Sequence, residues 1–272
     1  MRPIIHLIGI HPISRRLVRS IGVCVLALLL AVLAVPAARE ARALEHVDLA
    51  LVLVSDVSRS IDDIEFELEK QGYVTALTDP RVLNAIHNGA LGAIALAYVE
   101  FAGAYEVRTV IGWTDIHDAA SAQRFVDRLK AEGRSFWGRT AISSGIDHAV
   151  QLLAESRTQA GRRVIDVCAD GANNAGRDVT EARDAALAAG ITINGLTIVN
   201  DRPVAGTLAH VQPPGGLTKY FRENVIGGPA SFVLEVRDFH SFGEAMTRKL
   251  VSEIAGVEPE NLRDAGPRLT ER

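Results

Sequence analysis

Three short segments of the sequence carry oxygen-bearing side chains in an arrangement that suits a hard metal ion. The first has the pattern Asp-x-Ser-x-Ser, the second holds a threonine and the third an aspartate: Asp56, Ser58, Ser60, Thr140 and Asp170. In an extended turn alternate side chains point the same way, so the oxygens of the first segment can converge. Carboxylates and hydroxyls without imidazole or thiolate suit Mg²⁺, Mn²⁺ or Ca²⁺ rather than zinc. The pattern predicts a divalent-cation site, with helix caps and Asx-turns as the structural alternative.

Each segment adjoins an element that would position it. Dense aliphatic runs predict strands over 47–54 and 164–169, directly before the first and third segments. The threonine precedes a predicted helix over 141–154. Strands alternate with helices along the chain, which predicts an α/β fold: a doubly wound, mostly parallel six-stranded sheet with one antiparallel edge strand and helices on both faces. Ligands of such sheets bind at the carboxyl ends of the strands, where the segments should meet.

The remaining pattern completes this architecture. Further strands are predicted over 91–101, 105–113, 191–199 and 231–236, and helices over 60–77, 80–86, 119–131, 179–189, 220–225 and 239–255. The three-residue link 102–104 predicts an antiparallel hairpin. Ser60 followed three residues later by Asp63 predicts a capping box for the first helix, with Ile61 and Ile64 on its inward face. Cys168 is expected to be a buried thiol on a strand.

The five oxygen-bearing residues, in these strand–loop–helix contexts, resemble the metal-ion-dependent adhesion site (MIDAS) of the von Willebrand factor A-type (vWA) domain family. The similarity covers about residues 46–256. It implies that Ser58, Ser60 and Thr140 bind the cation directly, and that Asp56 and Asp170 bind it directly or through water. The chain is also similar to a narrower group of secreted bacterial vWA proteins with no assigned activity, through segments such as 138–140, 164–167 and 170–174.

The resemblance implies a binding protein and not an enzyme. Two carboxylates leave a divalent ion near neutral, so the ion can accept one more anionic oxygen, such as a Glu or Asp side chain of a partner protein. Mg²⁺ is the first expectation, with Mn²⁺ or Ca²⁺ as alternatives. Two other functions remain open: a metal-dependent hydrolase of the phosphatase or esterase type, and a scaffold whose metal only stabilises the fold. The sequence has no Gly-x-Ser-x-Gly elbow, and its three segments contain no histidine to act as a base.

The first 43 residues have the features of a secretory signal peptide. Arg15, Arg16 and Arg19 precede an apolar run over 21–35, and Ala41-Arg42-Ala43 offers a cleavage site. The expected organisation is a signal peptide at 1–43, a vWA-like domain at 44–256 and a polar tail at 257–272, in a secreted or periplasmic protein. An uncleaved anchor and twin-arginine export are the alternatives, although the run is shorter than the roughly 20 residues that span a bilayer.

The charge balance excludes one class of partner. The leader carries six Arg and one Glu, so the chain without it has a net charge of −9 instead of −4. An acidic domain of this kind has no electrostatic footprint for nucleic acid or anionic lipid, and no stable membrane insertion is expected after cleavage.

Residues flanking the three segments have two interpretations each. Phe136 and Trp137 would form an apolar rim around the cation or pack the base of the loop. Arg139 would anchor an incoming carboxylate or be a structural arginine. Asn173 and Asn174 would orient the third-segment aspartate or simply shape the turn.

Overall fold

The computed structural model describes residues 46–199, 212–237, 241–257 and 259. The predicted signal peptide at 1–43 and most of the predicted tail at 257–272 lie outside the described residues. Among the described residues, no helix is both long and apolar enough to cross a membrane.

Six strands form one sheet. They are β1 (His46–Asp56), β2 (Ile94–Phe101), β3 (Val107–Ile116), β4 (Gln159–Ala169), β5 (Thr192–Ile198) and β6 (Val233–Val236). Their order is β3-β2-β1-β4-β5-β6, and every neighbouring pair is parallel except β2–β3. The predicted sheet and its antiparallel edge strand are therefore confirmed. β1 lies in the middle of the sheet, with β2 and β3 on one side and β4, β5 and β6 on the other. The strand order thus reverses at β1, and ligands of open α/β sheets bind at such a reversal.

Helices cover both faces of the sheet. They are α1 (Asp63–Leu77), α2 (Pro80–His87), α3 (Ala119–Ala131), α4 (Ile142–Glu155), α5 (Val179–Ala188), α6 (Leu217–Tyr220), which continues into a π-helical turn (Phe221–Val225), and α7 (Phe242–Ala255). Alternate residues of β1 divide between two cores. Leu49, Leu51 and Leu53 pack towards α1, α2, α3 and α7, whereas Val52 and Val54 pack towards α4 and α5.

The first helix begins two residues later than its capping pattern predicted. Its N-cap is Asp62, whose carboxylate accepts from the main-chain N–H groups of Ile64 and Glu65, while the Glu65 side chain accepts from the N–H of Asp62. The prediction that Ser60 caps this helix is wrong, because its hydroxyl is engaged elsewhere. Ile64 is also not inward-facing: it is 72% exposed.

Both edges of the sheet are irregular or short. β6 has four residues. β3 loses its register with β2 around Tyr98, where the pairing shifts on each side. Such bulges bend and twist the strand that carries them.

Candidate metal centre

The five predicted site residues meet at the carboxyl edge of the sheet. The Ser58 and Ser60 hydroxyl oxygens lie 3.0 Å apart, and Thr140 Oγ1 donates to Ser58 Oγ at 3.1 Å. Ser60 Oγ donates to Asp170 Oδ1 at 2.9 Å. Asp56 ends β1 and accepts from the main-chain N–H of Ser58 at 2.8 Å. The loops after β1 and β4 and the segment before α4 thus bring together side chains from three distant parts of the sequence.

Asp56 lies at the base of this cluster and is fully buried. Its Oδ2 atom has no hydrogen-bond partner in the described part of the chain. Burial raises the pKa of Asp56 well above its ordinary value, and the nearby Asp170 carboxylate raises it further. Both causes are penalties on negative charge, so a cation placed at this point would relieve both of them.

Arg134 holds the first loop in shape. Its guanidinium donates to the carbonyl oxygens of Val57, Ser58 and Ile61, the last at 2.8 Å, and approaches Asp63 at 3.6 Å. Burial lowers the pKa of Arg134. One side chain therefore fixes three main-chain carbonyls around the serines, a role that the sequence analysis missed.

Asn174 positions the threonine of the second segment. Its Oδ1 accepts from the Thr140 N–H at 3.0 Å and from Arg139 Nε at 3.3 Å. Asn173 Oδ1 accepts from the N–H of Ser143, in the first turn of α4. The two asparagines therefore tie the third loop to the second, which agrees better with the alternative that they shape the turn than with the alternative that they orient Asp170. Arg139 is exposed, and its guanidinium donates to the Asn174 side chain.

A second buried polar layer lies behind the site. Ser55, one residue before the end of β1, donates to Glu69 of α1, which is 2% exposed. Burial raises the pKa of Glu69 to about 8, and burial also raises the pKa of the nearby Cys168 thiol. Glu100 accepts from the N–H of Ser135 at 2.9 Å. These glutamates were not predicted, because each is one polar residue inside an otherwise ordinary helix or strand pattern.

The surface around the site carries exposed apolar side chains. Trp137 is 59% exposed, and its ring lies 5.0 Å from the Arg134 guanidinium carbon. Phe136 instead packs against a small buried cluster beneath the first loop. Tyr105, in the β2–β3 turn, is 99% exposed. Ile64, at the start of α1, is also largely exposed. The two aromatic residues of the second segment therefore differ, since Trp137 is exposed and Phe136 packs beneath the first loop.

The donor set fits a hard cation that prefers oxygen. Among the described residues, no three His, Cys, Asp or Glu side chains form a group able to hold a metal. The cluster described above is of another kind, because it has only two carboxylates and its other three oxygens are hydroxyls of serine and threonine. Oxygen donors of mixed charge are the ligands that Mg²⁺, Mn²⁺ and Ca²⁺ accept.

Solved structures share this fold at low sequence identity. Proximal thread matrix protein 1 from the mussel byssus, in a structure with a zinc-occupied MIDAS motif, is 19% identical with a TM-score of 0.55, covering 77% of this chain and 48% of that chain. A von Willebrand factor type A protein from Catenulispora acidiphila is 14% identical with a TM-score of 0.54, covering 77% and 43%. The pilus adhesin SpaC from Lactobacillus rhamnosus GG, in its open conformation, is 14% identical with a TM-score of 0.53, covering 77% and 30%.

These likenesses establish the fold, which is that of a vWA domain. The chain spans less than half the length of each of these proteins. No curated protein matches the chain. A family model does match, over residues 46–258, and its description is "Protein of unknown function (DUF1194)". Because this match covers most of the sequence, including all five residues of the candidate metal centre, the chain belongs to the DUF1194 family.

Proposed function

We propose that this protein is an exported vWA module that binds a divalent cation and, through it, an acidic group of a partner protein. The observation that carries the proposal is the cluster at the carboxyl edge of the sheet. Three hydroxyls and a carboxylate form a continuous hydrogen-bonded chain beside Asp56, whose buried Oδ2 has no hydrogen-bond partner in the described part of the chain.

The five residues would contribute two kinds of ligand to a cation, neutral and charged. Ser58, Ser60 and Thr140 would offer neutral oxygens, and Asp56 and Asp170 would offer two negative charges. A bound divalent cation would supply an electrophilic centre that an anionic oxygen can approach. The two carboxylates would neutralise the charge of a divalent ion, and the ion could still coordinate one further anionic oxygen. A carboxylate from a partner protein would suit that position.

The identity of the cation follows from the donors. Mg²⁺ remains our expectation, because all five side chains provide hard oxygens. The mussel protein has been solved with a zinc-occupied MIDAS motif, so Zn²⁺ belongs with Mn²⁺ and Ca²⁺ among the ions to be compared.

Isothermal titration calorimetry tests the cation site directly. The chain from residue 44 onwards, stripped with EDTA, is titrated with each chloride salt, beside the variant Asp56→Ala. Asp118→Ala is the matched control, since Asp118 caps α3 and makes no contact with the cluster. We expect binding by the wild type and the control and none by Asp56→Ala. Equal binding by all three would overturn the proposal.

The partner is tested in a second experiment. The same three proteins are used as bait in the envelope fraction of the source organism, with Mg²⁺ or with EDTA. A protein that is retained only with Mg²⁺ and only by the wild type and Asp118→Ala supports an adhesion role. Phosphatase and esterase assays with Mg²⁺ or Mn²⁺ on the same preparations test the hydrolase alternative.

A further inference from the structure

Arg139 is the charged residue that directly precedes the threonine of the candidate metal centre. Its Nε donates to Asn174 Oδ1 at 3.3 Å, and the same oxygen accepts from the Thr140 N–H at 3.0 Å. The Thr140 hydroxyl in turn lies 3.1 Å from Ser58 Oγ. One amide oxygen thus holds both the main chain of Thr140 and the guanidinium of the arginine before it, which places that guanidinium beside the cluster of hydroxyls.

This guanidinium has no carboxylate partner in the described part of the chain. Arginines elsewhere on the surface form ion pairs, among them Arg81, Arg108, Arg177 and Arg183. The Glu106 carboxylate lies close to the second segment, but it accepts from the Gly103 N–H at 2.8 Å. The Arg139 side chain is exposed, and its contact with the neutral Asn174 side chain leaves its charge uncompensated. A planar guanidinium in this condition can bind a carboxylate through two parallel hydrogen bonds.

The main chain on either side of Arg139 is held in place. The Gly138 carbonyl accepts from the Arg59 N–H at 3.1 Å, and the Thr140 carbonyl accepts from two N–H groups of the third loop. A Cβ atom at position 138 would lie 1.6 Å from Glu106 Oε2, so glycine is needed for this close approach. Because the backbone is already ordered, binding through this arginine costs little additional conformational entropy.

The charge of the domain makes such a local positive group important. The chain without its leader has a net charge of −9, which repels an acidic partner at long range. Attraction must therefore come from positive charge at the site itself. A bound cation would supply one such charge, and Arg139 supplies another next to it.

We propose that Arg139 binds a second carboxylate of the partner, so that the segment recognised carries two acidic side chains. One would coordinate the cation and the other would pair with Arg139. This inference rests on the proposed function and specifies the chemistry of its partner. Because the two carboxylates belong to one segment, the second contact forms at high effective concentration and adds to the affinity of the first.

Calorimetry with synthetic peptides tests the inference. The chain from residue 44 onwards, saturated with Mg²⁺, is titrated with short blocked peptides of glycine and serine. These peptides contain one Glu, two Glu at several separations, or one Glu and one Lys at the same separations. At least one peptide with two Glu is expected to bind about tenfold more tightly than the peptide with one. Absence of this gain, or no binding by any peptide with two Glu, would overturn the inference.

Two substitutions of Arg139 assign the gain to its charge. Arg139→Gln should lose the gain and keep the affinity for the peptide with one Glu. Arg139→Glu should reverse the preference and bind a peptide with Glu and Lys more tightly than one with two Glu. Arg124→Gln removes the same charge from the exposed face of α3 and should behave as the wild type. Each comparison is made between peptides on one protein, so a change in cation affinity does not affect it.

The outcomes separate this inference from the proposed function. A gain that persists in Arg139→Gln would overturn the inference alone, provided that the peptide with one Glu binds with Mg²⁺ and not with EDTA. Failure of Mg²⁺ itself to bind would overturn both.

Discussion

The Ser60 hydroxyl donates a 2.9 Å hydrogen bond to Oδ1 of Asp170, a residue 110 positions later in the chain. The contact forms because β1 and β4 are parallel neighbours, so their following loops leave the sheet side by side. It joins the first and third segments of the candidate metal centre. The Asp170 carboxylate is one of the two negative charges that would face a bound cation.

Removing that charge should remove the stabilisation that a cation gives. At a concentration one hundred times the dissociation constant, Mg²⁺ is expected to stabilise the wild type by about 2.7 kcal/mol. Asp170→Asn keeps the shape of the side chain and should lose this response. Asp178→Asn, at the N-cap of α5, is the matched control and should keep it. Thermal unfolding with Mg²⁺ and with EDTA measures both, and a full response in Asp170→Asn would contradict the metal assignment.

Replacing Arg134 by lysine should loosen the first loop. A single ammonium cannot reach the four carbonyl oxygens that the guanidinium now contacts, those of Val57, Ser58, Ile61 and Phe136. We therefore expect a loss of about 2 kcal/mol and weaker cation binding. Arg81→Lys is the comparison, because Arg81 is half exposed and solvent screens its ion pairs with Asp79 and Glu244, so its loss of stability should be the smaller one. Urea unfolding in EDTA gives both free energies. Equal losses would mean that the Arg134 contacts add nothing specific.

Glu69 should make the apoprotein less stable as the pH rises. Its pKa is about 8 in the folded protein and 4.5 ordinarily, so the folded state holds the proton more tightly. Its favourable contribution is complete below about pH 4.5 and is lost as the pH rises to 8, by on the order of 4 kcal/mol. Glu69→Gln should flatten this decline in urea unfolding between pH 5 and 8 in EDTA. Glu67→Gln, on the exposed side of α1, should not. Asp166, whose pKa is raised to about 7, contributes equally to all three proteins.

Asn174→Ala should weaken cation binding without unfolding the domain. The variant removes the acceptor for the Thr140 N–H, so the threonine loses one of the contacts that fix its position. We expect affinity for Mg²⁺ to fall about tenfold while stability in EDTA changes by about 1 kcal/mol or less. Asn224→Ala removes a comparable side-chain hydrogen bond, to the Tyr220 carbonyl, and should leave the calorimetric affinity unchanged. Unaltered affinity in Asn174→Ala would show that the threonine is held by other contacts.

The observed helix cap can be separated from the predicted one by two alanine variants. Asp62→Ala removes the carboxylate that accepts two main-chain N–H groups and should cost about 1 kcal/mol. Asp63→Ala changes the residue that the sequence pattern had placed in the capping box, and its loss should stay within about 0.5 kcal/mol. Urea unfolding in EDTA measures both, and the reverse order would restore the predicted cap.

The sequence was sufficient for the fold where the pattern is local. The aliphatic run of β1 and the helical spacing over 119–131 each reflect neighbours along the chain, and each matches the structure. The hairpin between β2 and β3 also forms, although its link is 102–106, two residues longer than predicted. The capping pattern at Ser60 failed because the same hydroxyl has a better partner in Asp170, which is distant in sequence. Two successive aspartates then follow, and only the backbone direction decides that Asp62 becomes the cap.

The residues that support the site were missed for a related reason. Arg134 binds main-chain carbonyls more than seventy residues away, and every residue has a carbonyl, so no sequence motif indicates this role. Lys249 and Glu253 have the spacing of an ordinary exposed ion pair on a helix, and only packing against β4 shows that both are buried. Asp166 lies within the apolar run 164–169, and that pattern predicts a buried strand without indicating a charged group on it.

The irregular margins of the sheet have a consequence for self-association. A long, straight edge strand offers a row of main-chain donors and acceptors to which another polypeptide can add, which is a common route to aggregation. Here β6 offers only four residues, and the shifted pairing around Tyr98 distorts β3. Neither margin is a good template for adding a strand, so copies of this domain that associate at high concentration should do so through their helices and loops.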